Sequence, residues 1–366
     1  MTQSLRSIDG STSHIGSDFH WIPRDSGQTF SLPHSHVLFG MARDAIAAVV
    51  HATAGDIPRL WIPNYFCHQT KEKLKKSRIE LLEYKDNPRQ SNPQWQTLQP
   101  RDKDFVLFAN YFGIRKPKEI VDWQNDHPSV TVIEDHTHDP CSKWALESTA
   151  DYAVSSLRKT IPIPDGAVLW APIEKVLPEE PEGKSWTGSA LKLASMIFKR
   201  DCLENAGQTD ELFGYQRYLS QQGDELLDES TSNSISPWSR EYLRYGISKD
   251  WRDQRAENVL NFIKLWNSIE ENSSDISLLF QSWPANHCPF NPVLQFKSLK
   301  ERNDCRAFLI THNIYAPIHW PDQEISVNDS TEKIFLLTIP LDARCNENDI
   351  KKIVAIFKTY FSSSPQ

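Results

Sequence analysis

Short apolar runs alternate with amphipathic stretches along the first half of the chain. Six runs of strand length are found at residues 57–63, 79–84, 104–109 and 130–135 and around Val154 and Val168. Several of these runs have no polar face, which is typical of strands buried on both sides. Strands of this kind alternating with helices predict an α/β domain built on a mostly parallel sheet.

Helical patterns separate these runs. An Ala-rich helix is predicted to begin near Ala42, to be apolar nearly all round, and to end before Gly55. A second helix is predicted to end at Lys76, and residues 116–126 form an amphipathic third. These helices would cover the faces of the sheet.

The second half of the chain has a different pattern. Long helices are predicted at residues 191–218 and 240–269, and the second is interpreted as the connection between two domains. Strands at 291–296 and 334–339 and helices at 299–312 and 349–360 predict a smaller α+β domain. The expected organisation is a loosely ordered arm (1–30), a large domain (31–240), and a connecting helix with a small C-terminal domain (241–366).

Composition narrows the classes of function. The chain has 366 residues and a net charge of −8, with no lysine-rich block, which disfavours nucleic-acid binding. No run approaches the roughly 18 apolar residues of a membrane span, and the first 29 residues lack the apolar core of a signal peptide. The six cysteines form no Cys-x-x-Cys pair, so we expect reduced thiols, no metal site and a cytoplasmic protein.

One lysine stands out because of its position. Lys159 lies between the apolar runs around Val154 and Val168, just before a Pro-x-Pro-Asp-Gly turn that ends at Gly166. Proline and glycine should make this connection stiff. A desolvated lysine with a neighbouring cation such as Arg158 becomes a nucleophile toward carbonyls. The alternative is an ordinary solvated lysine, since lysine is rarely buried.

Polar residues follow three of the predicted strands, at 64–68, 110–113 and 135–138. Ligands bind beyond the carboxyl ends of parallel strands, so these segments predict a site. Asp135 could hold a protonated ring nitrogen or merely cap the next turn. The helix that begins near Ala42 could bind a phosphate at its N-terminus or be an ordinary buried helix.

Five short motifs, in order and at similar spacing, resemble the DegT/DnrJ/EryC1/StrS aminotransferases, which are pyridoxal-phosphate (PLP) enzymes of fold type I. The motifs are Arg43-Asp-Ala-Ile, Ile62-Pro-Asn-Tyr-Phe-Cys, Asn110-Tyr-Phe-Gly, Val132-Ile-Glu-Asp-x-x-His138 and Ser156-Leu-Arg-Lys-x-x-Pro-x-Pro-Asp-Gly166. Residues 255–258 resemble the family's connecting helix, and residues 313–320 resemble a segment that ends in tryptophan. The resemblance covers about residues 35–360 and implies a mixed, mostly parallel sheet flanked by helices, plus the small α+β domain.

The resemblance implies a catalytic role for three residues. Lys159 would form the Schiff base with PLP, and Asp135 would pair with the pyridinium nitrogen. His138 would lie near the 3′-oxygen of the cofactor or near the substrate.

It also implies how the cofactor is held. The phosphate would bind at Ala42 and Arg43, with a hydroxyl from Ser155 or Ser156. Asn110 would contact the cofactor. Cys67 lies where the family stacks a side chain on the ring, although Phe66 or His68 could take this position.

The chain departs from the family pattern in three places. Pro164-Asp-Gly-Ala replaces the usual Gly-Glu-Gly-Gly, and Ala42-Arg43 replaces Gly-Thr or Gly-Ser. The serine usually five residues before the lysine is four before it. These differences concern phosphate geometry and substrate class. Lys159 itself argues against the dehydratases of the family, which have histidine there.

The function that the resemblance implies is transfer of an amino group from Glu or Gln to a keto-sugar, nucleotide-linked in the manner of the family. The freed Lys159 amine would move the proton between the substrate Cα and the cofactor C4′. A homodimer acting on small molecules is implied. A PLP-dependent lyase, or a silent PLP-fold binding protein, are the alternatives.

Overall fold

The computed structural model describes residues 14–23, 27–53, 57–204, 210–230, 232–269, 276–321, 324–327 and 330–363. The strands are β1 (Ile15–Gly16), β2 (Thr29–Phe30), β3 (His36–Phe39), β4 (Arg59–Pro63), β5 (Glu80–Tyr84), β6 (Phe105–Ala109), β7 (Thr131–Asp135), β8 (Tyr152–Ser156), β9 (Ala167–Trp170), β10 (Ile247–Ser248), β11 (Ile276–Leu278), β12 (Val293–Phe296), β13 (Ile314–Tyr315), β14 (Glu324–Val327), β15 (Ser330–Lys333) and β16 (Phe335–Thr338). The helices are α1 (Ala42–Thr53), α2 (His68–Lys76), α3 (Lys118–Asp126), α4 (Lys143–Leu146), α5 (Thr187–Glu204), α6 (Asp210–Glu229), α7 (Pro237–Leu243), α8 (Lys249–Asn267), α9 (Leu299–Thr311) and α10 (Glu347–Ser363). Single 3-10 turns occupy Trp95–Thr97, Tyr111–Gly113 and Leu157–Lys159.

A seven-stranded sheet forms the centre of the larger part of the chain. Its order is β3-β9-β8-β7-β6-β4-β5, and the five strands from β8 to β5 run parallel to one another. β9 and β3 run antiparallel to theirs. Apolar residues of α1 and the sheet, including Ile46, Val50 and Leu169, share one buried cluster. The predicted α/β class with a mixed, mostly parallel sheet is therefore confirmed.

The edge strand β3 is missing from the sequence prediction. Its apolar residues run directly into α1, so the periodicity of the helix obscures the four-residue strand. Pairing with β9 gives β3 its strand geometry, because Leu38 lies opposite Val168.

Two predicted long helices are each two helices in the structure. The segment 191–218 spans α5 and α6, which pack antiparallel, since Gly188 contacts Gly223 and Ser195 bonds to Gln216. The segment 240–269 breaks at Gly246, which has a φ of +85° that a helix does not allow. α8 then begins anew, with the Ser248 hydroxyl accepting the Trp251 N–H.

The C-terminal part forms a smaller α+β unit, as predicted. β11, β12 and β16 make an antiparallel sheet. A second apolar cluster joins this sheet to α8 and α10 through Phe262, Trp266 and Phe357. The limits of the two predicted domains stay a prediction.

The described part of the predicted N-terminal arm is bound to the rest of the chain. β1 pairs with β13, and β2 pairs with β10. Residues 1–13, residues 24–26 and the predicted helix stop at Gly55 lie outside the described residues. Within the described ranges, no helix is long and apolar enough to cross a membrane.

Candidate active site

A cavity of about 100 Å³ lies at the carboxyl ends of β4, β6, β7 and β8. It is lined by eight of the nine predicted site residues, namely Ala42, Arg43, Cys67, Asn110, Asp135, His138, Ser156 and Lys159. The sheet register explains why they meet. Asp135 at the end of β7 lies opposite Ala109 on one side and Val154 on the other. The residues that follow the strand ends therefore face the same space.

Ser155, the ninth predicted residue, does not line this cavity. Its Oγ lies 3.4 Å from the carbonyl oxygen of His136, to which it donates. Side chains alternate between the faces of a strand, so Ser155 and Ser156 point to opposite sides of β8. Of the two serine alternatives, only Ser156 is placed to contact a ligand in this cavity.

Lys159 is half-buried at the end of the 3-10 turn that follows β8. Desolvation lowers its pKa, and the charge of Arg158 adds to this, while Cys67 and Asp135 act in the opposite direction. Its Nζ lies 6.0 Å from the ring centroid of Trp320. The amine is thus shifted toward its neutral, nucleophilic form.

Asp135 faces the same cavity as Lys159. Burial raises the pKa of its carboxyl group, and hydrogen bonds from Thr137 partly reverse the effect. The Thr137 backbone N–H donates to Oδ1 at 2.9 Å. A cation in the cavity would stabilise the ionised carboxylate and lower this pKa.

Three buried side-chain donors that line the cavity have no hydrogen-bond partner within the described ranges. They are Arg43 Nε, Asn110 Nδ2 and His138 Nε2. An unsatisfied buried donor costs about 1–3 kcal/mol, so few are expected in a protein without a ligand. The Nε of Arg158, a further lining residue, is also buried and unpaired in this part of the chain. The set of donors fits a ligand rich in acceptor oxygens.

Arg43 is the second residue of α1 and is 6% exposed. Its Nη2 donates to the Leu227 carbonyl at 2.9 Å and forms a 2.7 Å ion pair with Asp228. Both partners belong to α6, whose C-terminal part the sequence analysis left unassigned. These contacts hold the guanidinium beside the free N–H groups of the helix N-terminus.

The ring-stacking alternatives separate in the structure. Phe66 and Cys67 line the cavity, and His68 does not. His68 Nε2 instead lies 2.8 Å from the Pro321 carbonyl oxygen. Trp320 also lines the cavity, which the sequence analysis did not foresee. Its motif, residues 313–320, was the one available signal.

Lys159 also lines a second, larger cavity of about 340 Å³, which lies between the two parts of the chain. Residues 17–19 form one side of it, and Arg255, His319 and Arg344 lie in other parts of its wall. No cluster of metal-ligating side chains is found among the described residues.

The sequence matches no protein-family model and no curated protein. The structure resembles a protein of Streptococcus pneumoniae designated a sugar aminotransferase, in its PLP form, over 90% of this chain and 88% of that one (12% identity, TM-score 0.59). The aminotransferase TlmJ from Streptoalloteichus hindustanus is similar over 90% and 86% (12% identity, TM-score 0.56). A DegT DnrJ EryC1 StrS aminotransferase from Brucella abortus is similar over the same shares (12% identity, TM-score 0.51). This similarity confirms the predicted fold, that of PLP-transferase fold type I.

Proposed function

We propose that the chain binds PLP in the 100 Å³ cavity and is an aminotransferase. One observation supports this above all others. The unpaired donors of Arg43, Asn110 and His138 converge on a cavity shared by Lys159 and Asp135. The altered phosphate motif is compatible with this proposal, because Arg43 and Arg158 each have a buried Nε, unpaired among the described residues, that can donate to a phosphate oxygen.

Each residue has a defined task in this proposal. Asp135 holds its carboxylate against the protonated ring nitrogen, and Asn110 and His138 donate to the ring oxygen. The guanidinium of Arg43, the N-terminus of α1 and the Ser156 hydroxyl hold the phosphate. When bound, PLP supplies a ring that accepts the electrons of the substrate Cα–H bond.

Lys159 carries the cofactor and moves the proton. Its amine, poorly solvated and with a lowered pKa, is the group that would hold the aldehyde carbon of PLP, with loss of the aldehyde oxygen as water. When freed by the amino donor, Nζ would be the base that takes the proton from the substrate Cα and the acid that returns it at C4′. The proposed acceptor is a keto-sugar, because one of the similar structures is designated a sugar aminotransferase. The proposal also includes Glu or Gln as the amino donor, a nucleotide-linked sugar as the acceptor, a homodimer and a cytoplasmic location.

Borohydride reduction of the PLP-loaded protein tests the proposal. We expect one cofactor mass on the peptide that contains Lys159, and visible absorbance that is lost when L-glutamate is added. Lys159→Ala should lose the label. Lys300→Ala is the matched control, because that lysine is 86% exposed. A Lys159→Ala variant that keeps both label and absorbance would refute the assignment.

The 2-oxo acid product separates the alternatives. An aminotransferase forms one 2-oxo acid per active site from L-glutamate and stops until an acceptor is added. A lyase would release product without an acceptor, and a silent binding protein would form none.

A further inference from the structure

The larger cavity, of about 340 Å³, has more cationic than anionic side chains in its wall. Its wall contains four cationic side chains (Arg158, Lys192, Arg255 and Arg344), the amine of Lys159, whose pKa is lowered, and two carboxylates (Asp18 and Asp342). An excess of positive charge in an enclosed space favours an anionic ligand. We call this space the chamber.

Most of the chamber's cations already have a carboxylate. Lys192 Nζ lies 2.8 Å from Asp224 and 3.3 Å from Asp18. Arg344 pairs with Asp342 at 2.7 Å. Arg158 Nη1 lies 3.1 Å from Asp224. These charges are compensated within the protein.

Arg255 lacks such compensation. Its side chain is 3% exposed, and among the described residues the one carboxylate oxygen within ion-pair distance, on Asp139, is 4.0 Å away. Asp139 is occupied by Arg252, which makes two 2.9 Å hydrogen bonds to it. The other partners of Arg255 are uncharged, because burial raises the pKa of the Cys288 thiol, whose Sγ lies 3.2 Å away, and the third is the His138 carbonyl oxygen at 3.5 Å. A buried guanidinium without its own counter-ion is costly, so the site favours an incoming anion.

A second observation concerns Thr160, which follows Lys159 and lines the same chamber. Its Oγ1 is buried and has no hydrogen-bond partner in the described ranges. A hydroxyl donor and a guanidinium in the wall of one cavity can both bind carboxylate oxygens.

The size of the chamber limits the ligand. Ligand pockets measure about 300–1,000 Å³, and the chamber is at the lower end. Residues 17–19 close one side, because Lys199 Nζ donates to the Asp18 carbonyl at 2.5 Å and Arg344 Nη1 donates to it at 2.9 Å. The space suits a molecule of amino-acid size.

We propose that the chamber is the subsite for a small carboxylic acid, with Arg255 binding the carboxylate and Thr160 donating a second hydrogen bond. The inference rests on the proposed function, in which the amino-acid donor and its 2-oxo acid are such molecules. The amino-acid donor, and not a nucleotide, would therefore bind on the side of Lys159 that faces the chamber.

Calorimetric titration with glutarate, which has two carboxylates but no amine to react, tests this assignment. Its uncharged diamide, glutaramide, is the matched ligand. PLP-loaded protein should bind glutarate at least about 10-fold more tightly than glutaramide. Arg255→Gln should weaken glutarate binding by about 10- to 100-fold, and Thr160→Val by about 2- to 10-fold. Arg217→Gln, which removes an exposed cation on α6, should leave it unchanged.

Several results would overturn the inference. These are wild-type glutarate affinity in folded Arg255→Gln, equal affinity for the diamide, or inorganic phosphate binding as tightly as glutarate. If Arg255→Gln does not fold, Thr160→Val decides, since its hydroxyl has no internal partner to lose in the described structure. Absence of PLP absorbance marks failure of the proposed function instead. The apo protein is then titrated, and it should still bind glutarate through Arg255.

Discussion

The imidazole of His138 lies parallel to the ring of Phe112, and its Nδ1 accepts the Phe112 backbone N–H at 3.0 Å. Burial lowers the pKa of His138 well below its usual value, so the ring is neutral. A neutral imidazole that accepts at Nδ1 carries its proton on Nε2. Phe290 stacks on the same ring with centroids 4.6 Å apart. His138 is therefore a fixed, uncharged donor with its free N–H at the cavity.

The first prediction follows from this tautomer. His138→Leu removes the Nε2–H donor and should weaken PLP binding about 10-fold, measured by titration of the apo protein. His138→Gln, which keeps an N–H donor, should retain more of the affinity. Because the pKa of His138 is far below 6.5, wild-type affinity should show no His138 titration between pH 6 and 8. Equal PLP affinity in His138→Leu would exclude the contact.

The second prediction concerns the buried ion pair of Arg115 and Asp86, with exposures of 3% and 0%. Arg115 also donates to the Ala109 carbonyl, and its backbone N–H donates to Asn110 Oδ1, so it supports the end of β6 at the site. Arg115→Met should lower the free energy of unfolding by about 3–5 kcal/mol, because Asp86 then stays buried without its partner. Urea denaturation measures this loss.

The double variant Arg115→Met with Asp86→Leu should regain much of the stability, since no charge is left buried. Breaking the exposed pair of Lys118 and Asp122 by Lys118→Met should change the free energy of unfolding far less than Arg115→Met does. If Arg115→Met and Lys118→Met lower the free energy of unfolding by similar amounts, the burial of Asp86 does not determine the loss.

The sequence analysis could predict the part of the site that comes from neighbouring strands. The residues after β6, β7 and β8 meet because parallel strands end at one edge, and this follows from the apolar runs alone. It could not choose between Ser155 and Ser156, since a shift of one residue reverses the face of a strand. Trp320 and Arg255 reach the two cavities from distant parts of the chain. Their positions depend on long-range packing, which periodicity does not describe.

The third prediction concerns Gly166, which has a φ of +129°. Its N–H donates to the Gly40 carbonyl and its carbonyl accepts from Leu157, so it links β3 to the turn that carries Lys159. In Gly166→Ala the new Cβ would lie 2.9 Å from Ile235 Cδ1. We expect a loss of about 1–3 kcal/mol in urea denaturation and weaker PLP binding.

Gly214→Ala provides the control for this variant. Gly214 lies within α6 and has no atom within 4 Å of an added Cβ. Alanine there should raise stability by about 0.5–1 kcal/mol. If both alanine variants change stability in the same direction, backbone strain at Gly166 is not the cause.

The fourth prediction concerns Lys199, which is buried and whose Nζ donates to the carbonyls of Gly16 and Asp18. Desolvation and then the charge of Arg344 lower its pKa to about 7. Between pH 7 and the unfolded value of roughly 10.4, only the unfolded chain holds this proton, so the stability contribution rises with pH and is lost as pH falls. Wild-type stability relative to Lys199→Met should therefore increase by about 2 kcal/mol from pH 7 to 9 in urea denaturation. The buried cysteines, such as Cys141, give an opposite slope because their pKa is raised, but both proteins share it and it cancels in the difference. A difference that stays constant with pH would show that Lys199 remains protonated in the folded chain.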